Sequence, residues 1–266
     1  MDKELERSLE NLGRNIKKRD EEKVYQFSLW GDWQRGVPND FARSALFTAR
    51  KGTSGELVKN EKIFSQDGIE IHYQGVRLTQ DHLDVYEAVM HLARSMPEGE
   101  VVECTKKGLL MLLNRSSGGA DRKRLMGILT DLTATSVMIK REDKGRVYWG
   151  SLLPEGFEDE NSEILHLRVS RTLVKFFQHG FTVIEQKQRK ELSRSPLAKF
   201  LQCWLSSHTK PYPVTIEYLY NLSGSQTKEL KDFKKALIKA LDKLVQVEFL
   251  KSWDIDSKNK VSFVKI

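Results

Sequence analysis

One order of elements occurs twice along this chain, and that repeat limits the fold more than any single motif. In the first copy, LTQDHLDVYEAVMHLARSM carries Leu83, Val85, Tyr86, Val89, Leu92 and Ala93 on one broad face, the period of a helix packed on a core. PEGE reads as a turn and VVECT as a short strand, whose Thr105 can cap the helix KKGLLMLLN. The break RSSGGAD leads into RKRLMGILTDLTAT, with Leu125, Ile128, Leu129 and Leu132 in one stripe. VMIKREDKGRVYWGSLL closes the copy as two strands around a charged turn at Asp143 to Gly145.

The second copy begins after residue 189. SPLAKFLQCWLSSH is helical, with Pro196 suited to the first turn. KPYPVT supplies the turn and short strand, IEYLYNL the second helix and SGSQT the next turn. KELKDFKKALIKALDKLV is the third helix, with Leu230, Phe233, Leu237, Leu241 and Leu244 facing inward. VEFLKSW and VSFVKI flank DIDSKNK as a hairpin. Helix, short strand, helix, turn, helix, hairpin is the order of a winged helix. Its recurrence predicts an α+β chain of two tandem winged-helix domains with an N-terminal flexible arm, since a coincidental pattern rarely repeats. A chain of 266 residues has room for two small domains.

The expected divisions are an arm over 1–40, a first domain with a preceding hairpin over 41–165, and a second domain over 166–266. The first 23 residues are mostly charged, with Leu5, Leu9, Leu12 and Ile16 at helical spacing, which fits a short amphipathic helix or a solvated arm. EKIFSQ and IEIHYQGVRL form the preceding hairpin around Asp67-Gly68. Residues 163–188, including EILHLRVS, read as the link between the units.

The net charge of +7 calls for a polyanionic partner, a nucleic acid or an anionic membrane surface. No apolar run reaches the roughly 18 residues of a membrane span, so no membrane partner is expected. Cys104 and Cys203 read as separate buried thiols, and the N-terminus lacks the apolar stretch of a signal peptide, so the expected compartment is a reducing cytoplasm. In helix-turn-helix proteins the start of the third helix enters the major groove. Arg122, Lys123 and Arg124 open that helix in the first unit. In the second, Lys228, Lys231, Lys234 and Lys235 occupy the face left by the apolar stripe, preceded by Ser225, Gln226 and Thr227. Cations at a helix start oppose its dipole, a local conflict that a phosphate relieves. The hairpin turns add Lys140, Arg141, Lys144 and Arg146 in the first unit and Lys258 and Lys260 in the second, where positive charge suits a DNA backbone. The plainer alternative for either helix is a solvated Lys/Arg face.

Enzymatic chemistry has little support. GxxxxGK[ST], GxGxxG, GxSxG and HExxH are absent. The six histidines are scattered, and neither cysteine sits in a metal-ligand spacing. No catalytic residue, metal or cofactor is therefore expected. A strand-cleaving enzyme would need a nucleophilic tyrosine and a divalent metal, and no His-x-His pair offers one.

RGVPNDFARSALFTAR, the SSHTKPYP run and the two repeated units together resemble the TrfA-type initiators of broad-host-range plasmids, over roughly residues 25–265. The resemblance implies binding to iteron repeats in duplex origin DNA and opening of the adjacent AT-rich region, with single-stranded origin DNA as a further ligand. It also implies help from the host initiator, loading of the replicative helicase, and a homodimer in equilibrium with the monomer. QFSLW is similar to the sliding-clamp-binding pentapeptide QL[SD]LF: Gln26, Ser28 and Leu29 match, while Phe27 and Trp30 depart from it but stay apolar. An extended peptide with a polar anchor and an apolar pair is a common recognition mode. Packing of Phe27, Leu29 and Trp30 on the neighbouring domain is the alternative. The expected function is a plasmid replication initiator. A winged-helix transcriptional repressor uses the same contacts without opening DNA.

Overall fold

The computed structural model describes residues 30–51, 56–66, 68–96, 101–141, 146–178 and 180–266. Residues 1–29, which include Gln26, Phe27, Ser28 and Leu29, lie outside it, as do Asp67 of the first turn and Lys144 of the second.

The chain opens with β1 (Gln34–Pro38) and the single turn α1 (Asn39–Ala42), followed by β2 (Leu57–Ile63) and β3 (Ile69–Val76). The central helix α2 (Gln80–Ala93) follows, then β4 (Val101–Thr105), α3 (Lys106–Leu112) and α4 (Gly119–Ala134). Two hairpins come next, β5 (Ser136–Arg141) with β6 (Arg146–Ser151), and β7 (Glu155–Asp159) with β8 (Ile164–Arg168). The connection runs through α5 (Arg171–Gln178), β9 (Phe181–Glu185) and α6 (Gln186–Glu191). The second unit is α7 (Pro196–Ser206), β10 (Val214–Thr215), α8 (Ile216–Leu222), α9 (Leu230–Gln246) and the hairpin β11 (Leu250–Ile255) with β12 (Lys260–Lys265). No described helix is long and apolar enough to cross a membrane.

The helices form where the apolar stripes predict them. Phe233, Leu237, Leu241 and Leu244 of α9 are buried and its lysines face outward; Leu230, the first helical residue, is 45% exposed and lies outside the core. Thr105 accepts a hydrogen bond from the Gly108 amide at 3.0 Å and Thr215 one from the Tyr218 amide at 3.1 Å, so α3 and α8 carry the same N-cap. Both also end alike. The amides of Asn114 and Arg115 bond back to Met111 and Leu110, and those of Gly224 and Ser225 to Asn221 and Tyr220, with Asn114 and Gly224 left-handed.

The strand order corrects one reading of the sequence. The short strand β4 pairs with β8, and β8 with β7, giving β4-β8-β7, the counterpart of β10-β12-β11 in the second unit. The hairpin built around Asp143 to Gly145 belongs elsewhere: β5 pairs with β3 in the four-stranded sheet β2-β3-β5-β6. Lys140, Arg141 and Arg146 are therefore strand residues of that sheet, extending the preceding hairpin. The physical reason is non-local. Leu165 and Leu167 are buried and pair with Cys104 and Val102 of β4, while β7 pairs on the other side, so ILHLR is the middle strand of a sheet and not a link.

Two apolar clusters organise the molecule. The first runs from Trp30 to Ile184 and takes Cys203 from α7; the second runs from Leu192 to Phe263. Packing thus changes clusters between Ile184 and Leu192, some twenty residues after the 165/166 division expected from sequence. Residues 30–40, expected in the arm, are built into the first cluster. β1 pairs with β9, and the Trp30 ring stacks on Phe177 at 5.7 Å. The ring lies across Gly36, where a Cβ would come within 2.5 Å of it.

The Trp30 indole N–H donates to Nδ1 of His91 at 3.1 Å, and the Arg35 and Arg94 guanidiniums face the same imidazole. Burial, then those two cations, push the His91 imidazole down to about 4, with Asp32 opposing. A neutral ring is thus part of the folded state, because Nδ1 must accept. Its folded value lies below the unfolded one of about 6.5, so its contribution is complete above that pH and drains away as pH falls toward 4. The urea-unfolding midpoint should fall between pH 7 and pH 4.5 more steeply in the parent than in His91→Gln. Equal slopes would remove His91 as a source of acid sensitivity.

Candidate nucleic-acid interface

Each unit offers a third helix whose first turns meet the tip of its own hairpin. In the second unit the four-residue tip Asp256 to Asn259 separates β11 from β12, and Asn259 is left-handed. Nζ of Lys234 on α9 donates to Oδ1 of Asn259 at 2.9 Å. In the first unit the tip is Glu160 to Glu163, Glu163 is left-handed, and Arg122 Nη1 of α4 reaches its carboxylate at 2.7 Å. The two tips differ in charge. Lys258 lies within the second and Lys260 follows it, both exposed, whereas the first is acidic.

The structure places the candidate side chains as follows. Lys228, Lys231 and Lys235 are exposed along the start of α9; Lys231 lies 2.6 Å from Glu229 and Lys235 3.2 Å from Asp232. Ser225 and Thr227 exchange a hydroxyl hydrogen bond at 2.8 Å inside the α8–α9 turn, and Gln226 Nε2 donates to Glu56 at 3.0 Å. On α4, Lys123 is exposed and Arg124 pairs with Asp81. Lys140 is half-exposed, with its Nζ 3.9 Å from Glu70. Arg141 is turned inward to the buried Asp40 at 2.5 Å. Of the clamp-like pentapeptide, only Trp30 is described, and it is 5% exposed.

A cleft of about 850 Å³ lies between the two clusters, lined from both. Its wall is a buried ion network. Asp84 accepts from Arg189 Nε at 2.8 Å and Lys199 Nζ at 2.5 Å, and Glu87 lies 3.6 Å from Arg189. Arg115, from the α3–α4 turn, reaches Asp81 at 3.2 Å. Despite its burial, the Asp84 carboxyl is held below the usual range by Arg189 and Lys199. Burial raises Glu87 to about 7, because Arg189 serves it less closely and Asp84 repels it. The α8–α9 turn is locked against the first unit as well. The Ala49 amide donates to the Ser223 carbonyl at 2.8 Å, and Gly224 lies so close that a Cβ there would meet Thr48 at 2.5 Å.

Of the basic side chains of this cleft, sequence reasoning found Arg124 but not Arg50, Lys51, Arg115, Arg189, Lys190, Arg194 or Lys199. A signal existed in the run QKQRKELSRSP, which carries Lys187, Arg189, Lys190 and Arg194 just where the link was expected to end. Cys203 is buried with its thiol pushed up to about 12 by burial, and no metal-ligating cluster is found among the described residues.

A twice-built helix–strand–helix–helix–hairpin unit with a basic third helix defines a class of mixed α+β chain suited to polyanion recognition. The comparisons narrow it. The family model described as TrfA protein matches residues 8–259, and the chain belongs to that family. The plasmid replication initiator protein TrfA of Escherichia coli is 29% identical over 232 residues, which cover 83% of this chain and 59% of that protein. The chain thus matches less than two thirds of that relative's length. Among solved structures, domains 2 and 3 of RctB superpose with a TM-score of 0.54 at 13% identity, covering 85% of this chain and 96% of that one, a likeness of fold.

Proposed function

We propose that the protein is a plasmid replication initiator that reads repeated origin sequences with two winged-helix units and performs no catalysis. The observation that carries the reading is the duplicated unit with shared caps, shared sheet order and a third helix set against its own hairpin tip. In this reading α9 and Lys258 and Lys260 contact one groove and its flanking phosphates, and α4 enters a neighbouring groove. The first hairpin tip is acidic, so affinity in the first unit comes from α4. Lys140, Arg141 and Arg146 lie along a different sheet from that tip and contribute little. The relative's initiator name supports a role at an origin. Opening of AT-rich DNA, helicase recruitment with a host initiator, and exchange between dimer and monomer belong to the same proposal.

The test is a binding competition. Duplexes from the origin of the encoding replicon should bind about a thousandfold or more tighter than scrambled duplexes at fixed salt. Equal affinity for both would leave only a non-specific polyanion binder.

Sliding-clamp binding through Gln26 to Leu29 is a separate part of the proposal. Trp30 is committed to the fold, so the clamp contact rests on Gln26, Ser28 and Leu29 with Phe27. Gln26→Ala with Leu29→Ala should abolish clamp binding, read by surface plasmon resonance, and leave duplex affinity within twofold. Equal loss of both activities would make the segment structural.

A further inference from the structure

We propose that the cleft between the α3–α4 turn and the α6–α7 connection is a phosphodiester-binding site, which takes the backbone of the DNA strand whose groove receives α4. The inference rests on the reading of α4 as a groove-binding helix and adds to it a contact surface made by neither third helix alone.

Three observations converge on the cleft. The first is charge. Arg189, Lys199, Arg115 and Arg124 are matched by Asp81, Asp84 and Glu87, but Lys51, Lys190 and Arg194 at the cleft have no carboxylate within 4 Å among the described residues. Lys51, Lys190 and Arg194 are exposed, so they are ready for an anion without giving up a partner.

The second is hydrogen-bonding capacity. Arg115 Nη1 and Gln186 Nε2 are buried donors with no acceptor among the described residues, and both belong to cleft-lining side chains. A buried donor left unpaired costs free energy, and a ligand rich in acceptor oxygens relieves it. Both orphans are donors, as an anionic ligand requires. An acidic peptide would offer carboxylates at irregular spacing, whereas a nucleic-acid backbone presents an anion every few ångströms along its length.

The third is continuity. Arg124 lines the cleft and also stands in the first turns of α4, so a strand contacting that helix is already at the cleft mouth. Asn114 and Arg115 reach it from the C-terminal end of α3, the first helix of the pair, and the first helix of a helix-turn-helix crosses the backbone. The far wall comes from α6 and α7, so a backbone seated here touches α4 and the α6–α7 connection at once.

The experiment uses the full chain carrying Lys51→Ala, Lys190→Ala and Arg194→Ala, with origin duplex as ligand. Each phosphate contact contributes about 0.9 to the slope of log affinity against log salt, so the slope should fall by about 2.7. At 0.1 M salt that corresponds to a loss of roughly several hundredfold. A hydroxyl-radical footprint should lose one backbone patch while the protections due to α4 and α9 persist. An unchanged slope in the variant, with a normal slope in the parent, overturns the site but not the functional reading. A parent that shows no salt slope overturns both. Thermal stabilisation of the parent by a nucleoside triphosphate, lost in the variant while the DNA slope is kept, would reassign the cleft to free polyphosphate and overturn the backbone assignment.

Discussion

Arg189→Ala is expected to lower the unfolding free energy by about 3–5 kcal/mol, the range for removing one partner of a buried ion network. The Arg189 side chain is 3% exposed. Its Nε donates to Asp84 at 2.8 Å, Nη2 to the Gln80 side chain at 3.1 Å and Nη1 to the Lys199 carbonyl at 3.2 Å. Without the guanidinium, Asp84 keeps only Lys199 as a close cation on that side, and Glu87, 1% exposed, loses the cation 3.6 Å away. Two buried carboxylates in that state must protonate or draw in water, and either costs stability. Arg189→Lys keeps the charge but cannot span Asp84, Gln80 and Lys199 together, so an intermediate loss is expected. Equilibrium urea unfolding reads the effect. A loss below about 1 kcal/mol for the alanine variant would show that the network contributes little to the folded state.

Replacement of Lys228, Lys231, Lys234 and Lys235 by alanine should reduce the salt slope of origin binding by about 3.6 and weaken affinity at 0.1 M salt by roughly several thousandfold. Their present partners are weak competitors. Lys231 and Lys235 are 69% and 73% exposed, and exposed pairs such as those with Glu229 and Asp232 contribute little. A phosphate can therefore take each lysine at small cost. Phe233, Leu237, Leu241 and Leu244 hold α9 from the opposite face, so stability should change by less than about 0.5 kcal/mol. Anisotropy titrations across a salt series measure the slope. A variant with the parent slope would place α9 away from the phosphates.

The residues explain which parts of this account were legible beforehand. Stripes such as Leu125, Ile128, Leu129 and Leu132 mark helices because the period is local, and Thr105 and Thr215 announce their caps within a few residues. The choice of hairpin was not local. β5–β6 alternates, whereas EGFEDENSEIL is strongly acidic, and only pairing of β8 with β4, sixty residues earlier, makes it the unit's own hairpin. For Trp30 the sequence leaves open a motif residue or packing on the neighbouring domain, and the second holds, because its place is set by Gly36, Phe177 and His91. The cleft was invisible for the same reason. Lys51, Arg115 and the pair Lys190 and Arg194 come from three separate stretches of sequence and meet only when α6 and α7 close on α2.

The most direct test of the central claim is a footprint of the 266-residue chain on the origin region of the replicon that encodes it, taken across a salt series. The account predicts protection of regularly spaced direct repeats, each showing two groove-facing patches for two units, with protection fading as salt rises. Protection of one operator over a promoter would favour a repressor, and no specific protection at any salt would contradict the reading of both third helices as DNA-binding elements.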